Sequence, residues 1–330
     1  MAAGAAPAGG RGQRANEFFA FSNASLPWPC VKIISLLPSA TEMIYLLGLG
    51  DNLVAVSHEC DFPPAALTKP RVTRSVLHNR MASGEIDRLV RERLQAGLPL
   101  YELDLDVWRA TAPDLVLTQR LCDVCAVSYD HVARALTLLD PPPKILTLEP
   151  QLLEDIFANL HTIAAATGTA LRADQVVAAL ESRVRHVRDH APAAAPKVLC
   201  LEWIDPPFCA GHWLPQLVSL AGGVDGLGRP AADSARVEWE TIRLYDPDVI
   251  VVMCCGFGIP RSLEDLTKLA QHDLWQNLRA VRTGRVFVTD GNQHFSRPGP
   301  RLVDSLEIMA GILHPEIFPE FAEKNFVRYA

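Results

Sequence analysis

The chain has 330 residues, 49% hydrophobic and 21% charged, enough to bury a substantial core and about the length of two domains. Its formal net charge of -7 speaks against nucleic acid or an anionic membrane as partner, since both are normally met by a basic face. No apolar run is long enough to span a bilayer, so a small-molecule ligand is the better expectation.

Residues 1–30, opening MAAGAAPAGGRGQRANEFF, lack the apolar centre of a secretory signal and are expected to form a disordered tail. The alanine, glycine and arginine content leaves a short organelle transit peptide as the alternative. On this basis the protein is placed in the cytoplasm, as a monomer. Eight cysteines in a chain this large do not form a disulfide framework, and a reducing compartment leaves them as thiols.

An apolar run over 31–37 predicts a strand, followed by PSATEMIYLLGLG, where Ser39 and Glu42 have the spacing of a capping box. A second strand over 53–56 runs into SHECDFP, and a helix is expected over 84–96. DVWRATAPDLVLTQ predicts a short helix, a Pro-Asp turn and a buried strand; PPPKILTLEP predicts another strand before a helix over 152–166. Residues 171–190 carry mixed charge and an apolar stripe without Gly or Pro, which predicts one long helix of roughly 30 Å.

After that helix the order begins again. KVLCLEW answers KIISLLPS, LYDPDVIVVM answers ATAPDLVLTQ, and RVFVTDG answers KILTLEP, an internal echo that marks two related units. The predicted fold is α/β: two lobes with mainly parallel sheets, 31–168 and 196–330, joined by one bridging α-helix over 169–192. Ligands of such sheets sit beyond the carboxyl ends of the strands, so a cleft between facing lobes is the predicted site.

Several loops meet that description. SHECDFP places His58, Glu59, Cys60 and Asp61 after the second strand, and QRLCDVCAVS places Gln119, Cys122 and Cys125 after the strand DLVLT. His58, Cys60, Cys122 and Cys125 are ligand types suited to zinc or iron, although their spacing matches no known finger. The competing readings are that Cys60 and Cys125 are small core residues and His58 caps a turn, or that the CxxC pair is redox-active at a helix N-terminus. Trp203, Asp205, Cys209, His212 and Trp213 lie between a strand and a helix and could form a platform for a large flat ligand. At least one of the two tryptophans should instead pack helix onto sheet. His212 sits on a Gly-flanked loop, suited to a metal centre in a ligand or to a ligand's proton. In DGNQHFSRPGP, Asn292, His294, Phe295 and Arg297 could close the cleft, with Arg297 suited to a carboxylate or amide oxygen. Cys254 and Cys255 belong to the core or the cleft wall. No GxSxG elbow, Walker loop, GxGxxG fingerprint or HExxH helix occurs. Glu59 with Asp61, and Glu238 with Glu240, are the available carboxylate pairs.

IISLLPSATEMIYLLGLGDNLVAVSHECDFP, the two Pro-Asp strand segments and DPPFCAGHWLPQLVSLAGG resemble the class III substrate-binding proteins of the iron and cobalamin periplasmic-binding type, closest to the cobalamin-binding members. The likeness runs from Lys32 to about His314. It implies two α/β lobes on a long helix, little hinge motion, and a ligand between the lobes. Pro38, Ser39, His58, Trp203 and His212 match cleft-facing places in the family pattern. The resulting expectation is a non-catalytic binding protein for a corrinoid (cobalamin-like) ligand or another metal chelate. The alternative is a metal-dependent or thiol-redox enzyme built on His58, Cys60, Cys122 and Cys125. Family receptors are exported, and with no export signal visible a transporter partner is doubted.

Overall fold

The computed structural model describes residues 31–77, 81–120, 129–193, 195–322 and 325–329. In chain order the first lobe runs β1 (Ile33–Ser35), α1 (Pro38–Leu46), β2 (Leu53–Val56), β3 (Thr73–Ser75), α2 (Ser83–Gln95), β4 (Tyr101–Leu103), α3 (Leu105–Thr111), β5 (Leu115–Thr118), α4 (Tyr129–Leu136), β6 (Lys144–Thr147) and α5 (Leu153–Thr167). The bridging helix is α6 (Ala170–His190). The second lobe continues with β7 (Lys197–Trp203), β8 (Phe208–Cys209), α7 (Leu214–Leu220), β9 (Val224–Asp225), β10 (Ala235–Arg236), α8 (Trp239–Tyr245) and β11 (Val249–Val252). It ends with α9 (Ile259–Leu269), α10 (Asp273–Gln276), α11 (Arg279–Arg282), β12 (Val286–Thr289), α12 (Leu302–Leu313) and β13 (Phe326–Arg328).

The first lobe holds a parallel sheet in the order β2-β1-β5-β6, with β3 and β4 paired as a separate antiparallel ribbon. In the second lobe β7, β11 and β12 form a parallel centre that β9 also joins, while β8, β10 and β13 add antiparallel edges. Both central strands, β5 and β11, are buried along their whole length, as apolar runs between helix layers should be.

The internal echo has a physical basis in the two Pro-Asp turns. Each preceding helix ends on a non-glycine residue in the left-handed region, Ala112 (φ 44°) and Asp246 (φ 47°), and the proline then blocks continuation. The aspartate that follows accepts a hydrogen bond from the backbone N–H at the start of its lobe's first strand. Asp114 takes Lys32 N–H at 2.8 Å, and Asp248 takes Lys197 N–H at 2.9 Å. One carboxylate in each lobe thus fixes the register of its two central strands.

The bridging helix is tied to both lobes. Arg172 donates to the Leu46 carbonyl at the end of α1 at 2.8 Å, and Arg183 donates to Glu307 at 2.8 Å and to Asp304, both on α12. Buried side chains of α1, α5, α6, α7 and α12 form one apolar cluster that runs through both lobes. Wide separation of the lobes would expose part of that cluster, which fits the small motion expected.

The capping box expected of Ser39 and Glu42 is corrected. Pro38 occupies the first turn of α1, the N-cap position falls on Leu37 without a side-chain cap, and Glu42 is taken by Arg301, 259 residues away.

Candidate functional site

The carboxyl ends of the strands in the two lobes face one another, and the loops leaving them touch across the gap. Loop 57–63 divides its polar groups between two tasks. His58 stays near the gap: its backbone N–H donates to Thr73 Oγ1 at 3.0 Å, its Nδ1 meets the same hydroxyl at 2.7 Å, and its Nε2 lies 3.2 Å from Glu59 Oε1. The hydrogen bond from His58 holds the Glu59 carboxyl below the usual range despite partial burial. Cys60 turns inward. It is fully buried, Thr41 Oγ1 donates to its sulfur at 3.1 Å, Ser57 Oγ lies at 3.3 Å, and burial pushes the thiol pKa up. Arg71 clamps the turn from beneath through the carbonyls of Ser57 and Cys60. Asp61 and Phe62 reach the other lobe.

Their partners follow β12. Gly291 opens that segment where a side chain has no room, since a Cβ would lie 2.2 Å from the Cys254 carbonyl oxygen. Arg297 then donates to both oxygens of Asp61, to Asn292 Oδ1 and to the Glu59 carbonyl. Arg301, one turn further on, donates to Glu42 Oε1 at 2.6 Å and covers the Phe62 ring at 4.2 Å. Burial raises the pKa of the Glu42 carboxyl, opposed by the Arg301 charge. Gly299 lies so near Ser39 that an added Cβ would stand 3.1 Å from its Cα. The arginine expected to grip a ligand therefore grips the opposite lobe.

Loop 203–213 brings the second histidine. Gly211 has no room for a side chain, since a Cβ there would meet the Ala232 carbonyl oxygen at 2.4 Å and Ser234 N at 2.5 Å. His212 follows in the left-handed region (φ 51°), its N–H donating to Ala232 O at 2.6 Å. Its ring stacks on Trp213 at 5.4 Å, and its Nδ1 reaches Gln151 Oε1 across the gap at 3.0 Å. Because an amide oxygen only accepts, Nδ1 carries the proton and Nε2 keeps its lone pair, with Asp233 Oδ1 at 3.8 Å. Burial lowers the pKa of this imidazole, against the pull of Asp233, and favours the neutral form.

The two tryptophans part company. Trp203 is half-buried, 5.0 Å from the Phe257 ring, and donates to the Asp205 carbonyl at 3.0 Å. Trp213 is buried and donates to the Phe295 carbonyl at 3.0 Å, while Phe295 itself is fully buried. Those two serve packing and present no surface to the gap. Asp205 is exposed and faces Gly84 of the opposite lobe. Pro38 begins α1, Ser39 is buried beneath Gly299, and Gln119 is buried just beyond β5. Cys254 is buried and Cys255 exposed.

Of the four proposed metal ligands, Cys122 and Cys125 lie outside the described residues. The Cys60 sulfur points into its own lobe, away from a ligand position shared with His58. Among the described residues no group of three or more His, Cys, Asp or Glu side chains is arranged to hold a metal ion. Sequence reasoning missed Thr73, Gln151, Asp233, Arg301 and the role of Glu42. Gln151, four residues beyond Thr147, the last paired position of β6, was open to discovery by its place at a strand end; Asp233 carried no signal.

Comparison with known proteins places this geometry. Residues 33–292 match the family described as periplasmic binding protein, and the chain belongs to that family. The Vitamin B12-binding protein of Vibrio cholerae is 25% identical over 296 residues, covering 88% of this chain and 92% of the relative. The uncharacterized ABC transporter substrate-binding lipoprotein YvrC of Bacillus subtilis is 24% identical over 296 residues, 88% and 82% of the two chains. A periplasmic heme-binding protein from Pseudomonas aeruginosa shares the fold with a TM-score of 0.66 at 20% identity, over 87% of this chain and 93% of that one. The cytoplasmic placement is thereby corrected. The family is periplasmic and one relative is a lipoprotein, and the opening residues do not outweigh that kinship. A transporter partner, doubted on the same ground, is carried in the name of one relative, the ABC transporter substrate-binding lipoprotein of Bacillus subtilis. Among the described residues no helix is long and apolar enough to cross a membrane.

Proposed function

We propose that this member of the periplasmic binding protein family holds a corrinoid, or a comparable flat metal chelate, in the gap between its lobes. The observation that carries the reading is His212: an imidazole kept neutral by burial, its Nδ1 proton committed to Gln151, its Nε2 lone pair left to coordinate. The hydrogen-bonded partner fixes the ring so that coordination costs little further ordering.

The breadth of the first sheet supports the same class. His58 follows β2 and Gln151 follows β6, the opposite edges of the first sheet. Three strand spacings separate those edges, roughly 14 Å, about the width of a macrocycle with its side groups. Trp203 with Phe257 offers an apolar wall on the second lobe. The relative named for vitamin B12 and the structural neighbour named for heme bind ligands of this shape. Lobes held together by buried contacts exclude water from the bound face, and no step of chemistry is asked of the chain.

Diaquacobinamide is the suitable probe, because both axial positions carry exchangeable water. Titration of the full chain should give saturable binding and a shift of the visible bands as Nε2 replaces one water. His212→Ala should abolish the band shift and weaken binding at least about tenfold, the usual cost of losing an oriented metal ligand, with thermal stability retained. No binding of the wild-type chain overturns the proposal; binding with an unchanged spectrum in both proteins overturns the coordination.

A further inference from the structure

We infer that the cleft selects a chelate whose rim carries uncharged hydrogen-bond donors, such as amides, and discriminates against one whose rim carries carboxylates. The inference rests on the binding function proposed above and concerns which member of the ligand class fits.

Each lobe places one carboxylate beside an imidazole of these loops. In the first lobe His58 has Nδ1 against the Thr73 hydroxyl and Nε2 beside Glu59; in the second His212 has Nδ1 against Gln151 and Nε2 beside Asp233. The carboxylates are the outer members. The Glu59 side chain is 47% exposed and that of Asp233 90% exposed, so each has oxygen lone pairs to offer a ligand. Asp205 and Glu149, at the ends of β7 and β6, are exposed as well.

The arginines that would balance these charges are already engaged. Arg297 is spent on Asp61, Arg301 on Glu42, and Arg261 on Asp265 at 2.9 Å with its guanidinium over Phe257. Three cations near these loops pair with no carboxylate among the described residues, the first being Arg71, which holds the Ser57 and Cys60 carbonyls beneath loop 57–63. Arg120 lies 3.7 Å over the Tyr129 ring, and Arg229 is exposed on the loop that leads to Asp233. Four carboxylates against three such arginines, one of them turned beneath the loop onto backbone carbonyls, leave a negative rim. Carboxylate oxygens accept hydrogen bonds and donate none, so they match N–H groups and repel a ligand's own carboxylates.

The test compares four probes on the full chain: diaquacobinamide, its amide-hydrolysed counterpart cobyrinic acid, haem, and haem dimethyl ester. Cobyrinic acid is expected to bind at least about tenfold more weakly than diaquacobinamide, and haem more weakly than its ester, as like-charge contacts require. Both gaps should narrow at about 0.5 M salt, where exposed charges are screened. They should narrow also in Glu59→Gln and Asp233→Asn. Carboxylate forms binding as tightly as the uncharged ones, or gaps unmoved by both substitutions, overturn the selectivity while leaving the binding function intact. Failure of all four probes overturns the binding function and the selectivity together.

Discussion

The lobes touch along two rims of the gap, and the rims are built differently. On the first, Glu42 and Asp61 of one lobe receive Arg301 and Arg297 of the other; Glu42 is 1% exposed and Arg301 9%. On the second, Ser83 donates to Asp265 and Arg261 donates to the Met81 carbonyl at 3.2 Å. Asp265, however, is also held within its own helix by Arg261 at 2.9 Å and Lys268 at 3.2 Å. A buried charge that depends on the opposite lobe makes separation costly, whereas a carboxylate satisfied at home makes the cross-lobe contact a supplement. The first rim should therefore carry most of the energy that holds the lobes together.

Arg301→Met breaks this comparison hardest. It leaves Glu42 buried without its counter-charge, and urea denaturation should show a loss of about 3–5 kcal/mol. The sign of the pH effect follows from Glu42, whose folded pKa already stands above the usual carboxylate value and climbs further once the arginine is gone. A carboxyl raised in the fold binds its proton more readily there than in the unfolded chain, so the deficit should be largest at neutral pH. It should shrink as pH falls through the carboxylate range. A deficit that stays constant or grows on acidification would remove Glu42 from the account.

Arg297→Ala should cost less, about 1–2 kcal/mol, because Asp61 has 39% of its side chain exposed and can turn to water. Its distinguishing effect is local, since Arg297 also holds the Glu59 carbonyl; hydrogen exchange should rise across 58–62. Ser83→Ala is the smallest change, below about 1 kcal/mol, because Asp265 keeps its two basic partners. A loss from Ser83→Ala equal to that from Arg301→Met would show the rims to be equivalent.

Much of the fold was legible wherever a local pattern was decisive. β2, β7 and the long helix predicted over 171–190 stand within a residue of those limits, because apolar runs and an uninterrupted 3.6-residue stripe have one reading each. The two-residue strands β8, β9 and β10 were not, since nothing local separates them from turn. At the site, position along the chain identified His58 and His212 as strand-end residues, but not what each side chain touches. Glu42 has capping-box spacing from Ser39, and only the arrival of Arg301 from the far lobe decides its use. Trp203 and Trp213 look alike in sequence; the carbonyl of Phe295 separates them, and that contact spans 82 residues. Long-range partners of charged and aromatic groups are what short patterns do not encode.

Gly211 offers a way to sort related chains without solving any of them. Because the backbone of 232–234 passes through the space that a methyl group would need, a chain with alanine or anything larger at this point must route the loop differently and cannot set an imidazole beside Gln151 in the same manner. Inspecting one letter would then separate chains able to set a histidine in this position from those that share only the two-lobed scaffold.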